Sequence, residues 1–230
     1  MISVVKRNGV VEPLNLDKLH RMVEFACDGL AGVSESAIEM NSNLQFYEHI
    51  MTSDIQEILI KSANDLITLE QPNYQYVAAR LLLFSYRKSV YKGHPDNPPP
   101  LIEHVKECIA KGVYDPDLIK QYSEEEWSEL HDFIDWDRDY LFTYAGLRQV
   151  VDKYLVQDRS TGEVFETPQQ MYMLIAATLF QNYPIESRID YVKRYYNAIS
   201  KHRINIPTPV MAGVRTPIRQ FASCVLVDID

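Results

Sequence analysis

Two regions of the sequence hold side chains whose types could do chemistry, and one of them lies near the carboxyl end. Residues 207–224 read PTPVMAGVRTPIRQFASC. Thr208 stands between two prolines, which fix the backbone φ angle, so its hydroxyl is predicted to lie on a stiff loop. Ser223 and Cys224 precede the apolar run VLV. Spacing alone gives Cys224 no redox role, because an isolated cysteine beside a strand is commonly an inert core residue.

The second region lies at the amino end, where polar and charged side chains surround a predicted tight turn. Those side chains are Lys6, Arg7, Glu12, Asn15 and Lys18. A nucleoside triphosphate needs cations for its phosphates, backbone N–H groups near a helix start, and a carboxylate or amide for its sugar or base. Thr52 could add a hydroxyl, and Arg87 and Lys88 could add cations. The same residue types also suit a solvated basic turn with an ordinary helix cap.

The elements that must position this amino-terminal group begin with a hairpin. Residues 2–12 alternate apolar and polar around Asn8-Gly9, a pair that favours a two-residue hairpin turn. Asn15 then caps a helix whose apolar residues recur at helical spacing, and which ends near Gly29.

A proline-rich segment divides the sequence. Residues 93–100, GHPDNPPP, hold four prolines in eight residues, which predicts a stiff linker and a domain boundary. A long helix is predicted before it, from about Tyr74 to Tyr91. Ser53 and Gln56 fit a capping box that would open the preceding helix.

The sequence after the linker is predicted to be mostly helical. A capping box at Ser123–Glu126 opens one helix, and Thr167-Pro168 combines an N-cap with proline at the first helical position. Residues 153–166 are typical of a hairpin that turns at Thr161-Gly162, and a further helix covers roughly residues 185–201. The remainder has short apolar runs between prolines, which predicts strands and ordered loops.

Composition and charge narrow the class of protein. The formal net charge of −9 argues against a nucleic-acid polymer as partner, because such binding needs clustered cations. The three cysteines form no CxxC pair or metal-ligand spacing, which indicates a reducing compartment. Neither a signal peptide nor an apolar run of the roughly 20 residues needed to span a bilayer is visible. We therefore expect a soluble, cytoplasmic protein that binds no membrane.

The amino-terminal pattern as a whole resembles a known module. V-K-R-N-G-x-x-E-x-x-N-x-x-K, residues 5–18, resembles the opening of the ATP-cone domain, and residues 52–55 and 72–88 extend the likeness over about residues 1–92. The resemblance implies a β-hairpin and helical bundle that binds ATP or dATP as an allosteric effector and sets overall activity. The residues that match the nucleotide-binding positions of that family are Lys6, Arg7, Glu12, Asn15, Lys18, Thr52 and Lys88.

One departure from that pattern concerns Gln56. Many members of the family have histidine at this position, so the resemblance leaves open whether dATP inhibits. Gln56 equally suits the capping box with Ser53.

The carboxyl-terminal block also resembles a known family. P-T-P-x-M-x-G-x-R-T-P-x-R-Q-F-x-S-C is similar to the large subunit of class I ribonucleotide reductase, above all to enzymes of enteric bacteria and their phages. In that family a thiyl radical abstracts hydrogen from the substrate ribose, and a cysteine pair reduces the 2′ position and becomes a disulfide. Cys224 matches the first cysteine of that pair, and Thr208 and Ser223 match substrate-binding groups, with Thr208 at the diphosphate.

The two resemblances together imply a mainly α fold with short β-hairpins. The expected order is an ATP-cone at residues 1–92, the linker at 93–100, a helical reductase domain at 101–202, and the first strand of a ten-stranded α/β barrel at 203–230. The implied function is part of a ribonucleoside-diphosphate reductase that makes deoxyribonucleoside diphosphates. No metal is expected in this chain, since the radical-generating metal belongs to the small subunit.

The implied partners follow from the incomplete cysteine pair. We expect the chain to be inactive alone and to need the rest of the large subunit, either in one longer polypeptide or as a separate chain of a split subunit. The other implied partners are the small radical-generating subunit, a second large subunit, and thioredoxin or glutaredoxin as reductant. The alternative is a nucleotide-binding regulatory or assembly module without catalysis. An ATP-cone repressor is disfavoured, because its zinc ribbon needs two CxxC pairs that this sequence lacks.

Overall fold

The computed structural model describes residues 2–6, 8–43, 45–224 and 226. These residues form two compact units. The first comprises the chain up to Tyr86 together with Tyr140–Arg148, and the second comprises Arg87–Asp139 and the chain from Gln149 onward. Within the described part of the chain, no helix has the length and apolar character needed to cross a bilayer.

The first unit contains a small sheet and the first helices of the chain. The strands are β1 (Ser3–Val5), β2 (Val11–Pro13) and β3 (Ile50–Met51), and the helices are α1 (Leu16–Cys27), α2 (Glu35–Asn43), α3 (Thr52–Asp65) and α4 (Tyr74–Val90), of which α4 ends within the second unit. The strand order is β2-β1-β3, with β1 antiparallel to β2 and parallel to β3. The prediction of a hairpin followed by helices is confirmed, and the third strand is an addition that the sequence did not reveal.

The turn of the hairpin differs from the prediction. The Lys6 amide donates to the Val10 carbonyl at 2.9 Å, and the Gly9 amide donates to the Lys6 carbonyl at 2.8 Å. Asn8-Gly9 therefore does not form a two-residue turn; Gly9 closes a longer loop with φ of 82°, a left-handed conformation that glycine adopts without a Cβ clash.

The predicted capping box at Ser53 is wrong. Helix α3 begins one residue earlier, at Thr52, and Met51 occupies the N-cap position without a side-chain hydrogen bond. The reason is tertiary, since Met51 is the last residue of β3 and pairs with Val5, which fixes where the helix can start.

The second unit is helical. Its helices are α5 (Leu101–Ala110), α6 (Glu124–Phe133), α7 (Tyr144–Lys153, which begins in the first unit), α8 (Pro168–Phe180), α9 (Ile185–Ser200) and α10 (Thr208–Gly213), with short 3-10 helices at Leu118–Lys120 and Trp136–Leu141. The capping box at Ser123–Glu126 and the Thr167-Pro168 start of α8 are both confirmed. Residues 168–177 of α8 are all buried, so this helix forms the centre of the unit's core and packs against α9.

The predicted hairpin over residues 153–166 is reduced to a single bridge. Lys153 belongs to α7, and Gln157 pairs with Val164 as an isolated antiparallel bridge. The Gly162 amide donates to the Asp158 carbonyl at 2.8 Å, which reverses the chain where the sequence predicted a turn.

The tail also departs from the prediction of strands and loops. Thr208 is the first residue of α10 rather than part of a stiff loop. Proline fits the first turn of a helix because the amide it lacks has no partner there, so the two prolines beside Thr208 initiate a helix. Within residues 203–230, where the first barrel strand is predicted, the described residues contain no strand, and Val225 and residues 227–230 lie outside the described residues.

Candidate functional site

Lys6 and Glu12, the predicted cation and carboxylate of the hairpin, lie on one face of the sheet. Val4 pairs with Glu12 on one side and with Ile50 on the other, and Val4 and Ile50 are buried. Directly opposed residues point to the same face, so Glu12 lies on the core side of the sheet. There Lys6 Nζ approaches Glu12 Oε2 at 2.7 Å, with the side chains 40% and 34% exposed. Solvent therefore reaches both partners of this ion pair.

The parallel strand brings the hydroxyl of Thr52 to the same end of the sheet. Val5 and Met51 are paired in parallel register, so Lys6 and Thr52 both follow directly after paired residues. Thr52 is half-buried as the first residue of α3, where amide groups lack intrahelical partners. The Lys6 cation, the Thr52 hydroxyl and the start of α3 thus all follow the same end of the sheet.

Two other predicted nucleotide residues lie at the start of α1. Asn15 caps α1, and its Oδ1 accepts from the Lys18 amide at 3.0 Å, as expected for an N-cap. Lys18 is exposed in the first turn. Arg7 lies outside the described residues, and Lys88 is exposed near the end of α4, within the second unit.

Two further residues at this end of the sequence have structural partners instead. Arg87 is buried, and its Nη2 donates to the Trp136 carbonyl and to Asp139 Oδ2, so the prediction that it adds a cation for phosphate is wrong. Gln56 is buried and its Nε2 donates to the Leu81 carbonyl at 2.9 Å. Gln56 therefore packs α3 against α4 and caps nothing.

The predicted catalytic residues lie on the surface of the described chain. Thr208 is exposed at the start of α10, and Ser223 and Cys224 are exposed in a segment without regular structure. The Ser223 hydroxyl donates to Cys224 Sγ at 3.9 Å. The other cysteines are buried, and burial raises the pKa of Cys27 to about 11 and that of Cys108 to about 12. Cys224 is thus the exposed thiol of the three.

A buried ion pair anchors the segment between Thr208 and Cys224, and sequence reasoning missed it. Arg215 and Glu166 are both fully buried, and Arg215 Nε donates to Glu166 Oε2 at 2.8 Å while its Nη2 donates to Oε1. The Tyr114 hydroxyl donates to Glu166 Oε2 at 2.5 Å. A single arginine in the sequence is a weak signal of a buried ion pair, because its partner lies 49 residues away in sequence.

A second buried network joins Asp139 to the core helices. Gln169 Nε2 donates to Asp139 Oδ1 at 2.9 Å, and the Tyr196 hydroxyl donates to Gln169 Oε1 at 2.8 Å. Burial raises the pKa of the Asp139 carboxyl, and the nearby Arg87 guanidinium opposes that shift. These contacts connect the 3-10 helix at Trp136–Leu141 to α8 and α9.

His104, on α5, contacts Tyr114, the residue that donates to the buried carboxylate of Glu166. Its Nε2 lies 3.3 Å from the Tyr114 hydroxyl and 3.7 Å from Cys108 Sγ. Burial lowers the pKa of His104 to about 4, although the nearby carboxylates Glu166 and Glu107 act in the opposite direction. His104 is therefore neutral in the folded protein at neutral pH.

Family comparisons match the two ends of the chain separately. Residues 2–89 match the ATP cone domain, and residues 140–219 match the ribonucleotide reductase all-alpha domain. This chain carries an ATP cone and the all-alpha domain of ribonucleotide reductase. The residues around the Lys6–Glu12 pair belong to the cone, and Arg215, Glu166 and Thr208 belong to the all-alpha domain.

The curated relatives are alpha subunits of ribonucleoside-diphosphate reductase. The chain is 52% identical over 229 residues to the subunit of Haemophilus influenzae and 51% identical over 227 residues to that of Escherichia coli. It is 42% identical over 230 residues to the subunit of Enterobacteria phage T4. These matches cover at least 99% of this chain but only 30% of each relative, so the chain spans about a third of their length.

The depressed pKa of His104 predicts a pH dependence of stability. The unfolded chain takes up a proton near the ordinary histidine pKa of about 6.5, whereas the folded chain does so near 4. The unfolded state therefore binds more protons between these values, and the free energy of unfolding falls as the pH is lowered through them, by about 3 kcal/mol. Urea denaturation from pH 7 to 4 measures this fall.

The matched comparison is His104→Phe with His94→Phe. His94 is exposed, so its replacement should leave the pH dependence as in wild type. His104→Phe should flatten the curve between pH 6.5 and 4. An unchanged curve in His104→Phe would refute a buried neutral histidine.

Proposed function

We propose that this chain is the regulatory and redox-carrying part of a ribonucleoside-diphosphate reductase alpha subunit. The observation that carries the proposal is the presence of an ATP cone and a reductase all-alpha domain in one chain, matched over nearly its whole length by reductase alpha subunits. The reaction would replace the 2′ hydroxyl of a ribonucleoside diphosphate with hydrogen. ATP and dATP would be the effectors, bound at the cone.

The cone chemistry fits a nucleotide phosphate at the hairpin. An exposed ion pair such as Lys6–Glu12 contributes little to stability, so Lys6 can exchange its carboxylate for a phosphate at low cost. Thr52 adds a hydroxyl and a helix start at the same end of the sheet, and Glu12 is then free to accept from the ribose or base. The family pattern adds Arg7, Asn15, Lys18 and Lys88 to this proposed site.

The proposed catalytic contribution is Cys224, with Thr208 and Ser223 binding substrate. Two thiols would deliver two electrons to the 2′ carbon, the hydroxyl would leave as water, and the thiols would form a disulfide that an external dithiol protein reduces. Cys27 and Cys108 are buried, so neither is suited to pair with Cys224. The second thiol would come from the reductase part that corresponds to the other two thirds of the relatives' length.

The proposed domain limits and partners follow from the same reading. The ATP cone would extend to residue 92, with a linker at 93–100, a helical domain at 101–202 and the entry to a catalytic barrel at 203–230. The chain would work with the remaining alpha-subunit part, a second alpha subunit, a metal-containing small subunit that generates the radical, and thioredoxin or glutaredoxin.

Nucleotide binding by the isolated chain tests the regulatory half. Lys6→Ala should weaken ATP and dATP binding by about tenfold or more, because it removes a charge-assisted hydrogen bond of about 1.5–3 kcal/mol. Lys61→Ala is the matched control, since it removes an exposed lysine from α3 of the same unit. Isothermal titration calorimetry measures both. If the wild-type chain bound no nucleotide at millimolar concentration, the proposed effector site would be wrong, and the result would favour an assembly module without a ligand.

Turnover of the assembled reductase tests the catalytic half. Cys224→Ser should reduce turnover with a protein dithiol reductant to background, because one thiol of the pair is lost. Cys27→Ala is the control, since that cysteine is buried in the cone, and it should retain turnover. The 230-residue chain alone should be inactive. Nucleotide binding combined with full turnover of Cys224→Ser would favour a regulatory module without catalysis of its own.

A further inference from the structure

Three segments of the second unit accept hydrogen bonds from the guanidinium of Arg215, and a fourth binds its backbone carbonyl. Besides Glu166, its Nη1 donates to the Met211 carbonyl at 2.6 Å and its Nη2 to the Tyr154 carbonyl at 2.9 Å. The backbone carbonyl of Arg215 accepts from the Asp115 amide at 3.0 Å. Arg215 thus joins α10 to the chain after α5, to the chain after α7 and to Glu166, which lies two residues before α8.

The carboxylate of Glu166 is saturated by donors in this arrangement. Oε1 accepts from the Val156 amide at 2.7 Å as well as from Arg215, and Oε2 accepts from Tyr114 and Arg215. A buried charge is strongly unfavourable unless it is paired and hydrogen-bonded, and a planar guanidinium matches a carboxylate in two places. A shift of the Arg215 backbone would therefore break hydrogen bonds of a buried charge.

The chain after Arg215 folds back on the end of α10. The Thr216 hydroxyl donates to the Gly213 carbonyl at 2.8 Å and accepts from the Ile218 amide at 3.2 Å. The Phe221 ring lies 3.6 Å from where a Cβ of Gly213 would be. Arg219 forms an ion pair with Asp115, the residue whose amide binds the Arg215 carbonyl. This return places Phe221, three residues before Cys224, beside the last turn of α10.

We propose that Arg215, held by Glu166 and Tyr114, is a positioning residue that fixes the path of the chain between Thr208 and Cys224. Through Met211 it holds the helix that Thr208 begins, and through the return at Thr216 it directs Cys224 back toward that helix. The two groups assigned to the substrate diphosphate and to the redox step then keep a fixed separation. This role rests on the function proposed above.

The first test is hydrogen exchange in the 230-residue chain, followed by mass spectrometry of peptides covering residues 208–216. The Met211, Val214 and Thr216 amides are hydrogen-bonded in this segment and should exchange slowly in wild type. Glu166→Gln should accelerate their exchange. Tyr114→Phe, which removes only one hydroxyl from the carboxylate, is the milder variant if Glu166→Gln does not fold, and it should accelerate exchange less.

The matched control is Glu126→Gln, which weakens a bidentate pair with Arg188 between α6 and α9 of the same unit. Glutamine still serves the capping box with Ser123, so α6 is kept. This variant should leave exchange in residues 208–216 as in wild type. Equal acceleration in Glu126→Gln, or none in Glu166→Gln and Tyr114→Phe, would overturn the proposal.

The second test is steady-state turnover in the assembled reductase. Tyr114→Phe and Glu166→Gln should lower kcat/KM for the ribonucleoside diphosphate by about 10- to 100-fold, because displacement of reacting groups by about 1 Å has an effect of that size. The loss should come from a higher KM, a lower kcat or both. Glu126→Gln should retain wild-type values. Wild-type values in all three variants would overturn the positioning role. Absence of turnover in the wild-type assembly would instead overturn the proposed function, while the exchange experiment would still report whether Arg215 holds α10.

Discussion

The second unit is organised around a charge pair that is fully removed from water. Arg215 and Glu166 are both completely buried, and neither could be buried alone without a large desolvation cost. Their contacts come from segments that are far apart in sequence, so those segments must all be in place before the pair can form. The pair thereby converts a tail with little regular structure into a defined path from α10 to Cys224.

The first unit uses an ion pair in the opposite way. Lys6 and Glu12 are partly exposed, so water screens their attraction and either partner can be exchanged for a ligand. A buried, saturated pair fixes a backbone, whereas an exposed pair is available for binding. This contrast fits the two roles proposed for the chain, since an effector site must accept and release nucleotide while a substrate and redox segment must hold its geometry.

Local sequence signals predicted the elements that depend on local chemistry. The helix caps at Asn15, Ser123 and Thr167 are present because each is satisfied within three residues of the cap. The Ser53 cap failed because pairing of Met51 with Val5, which are distant in sequence, set the start of α3. Strand β3 has only two residues and no periodicity that a pattern could detect.

The candidate site was predictable only in part for the same reason. The residue types of Lys6, Glu12 and Thr52 suggested a phosphate site, but their meeting at one end of the sheet depends on the parallel pairing of β1 and β3. Arg87 carried the right charge, yet a buried carboxylate on another segment engages it. Glu166 gave no signal, since its importance comes from Arg215, 49 residues later in the chain.

A double-mutant cycle on the buried pair tests this organisation most directly. The free energies of unfolding of wild type, Glu166→Gln, Arg215→Met and the double variant would be measured by urea denaturation. Each single variant should lose about 3–5 kcal/mol, because it leaves an uncompensated buried group, and the double variant should lose much less than the sum. Losses that add to within about 0.5 kcal/mol would contradict a direct interaction on which the second unit depends.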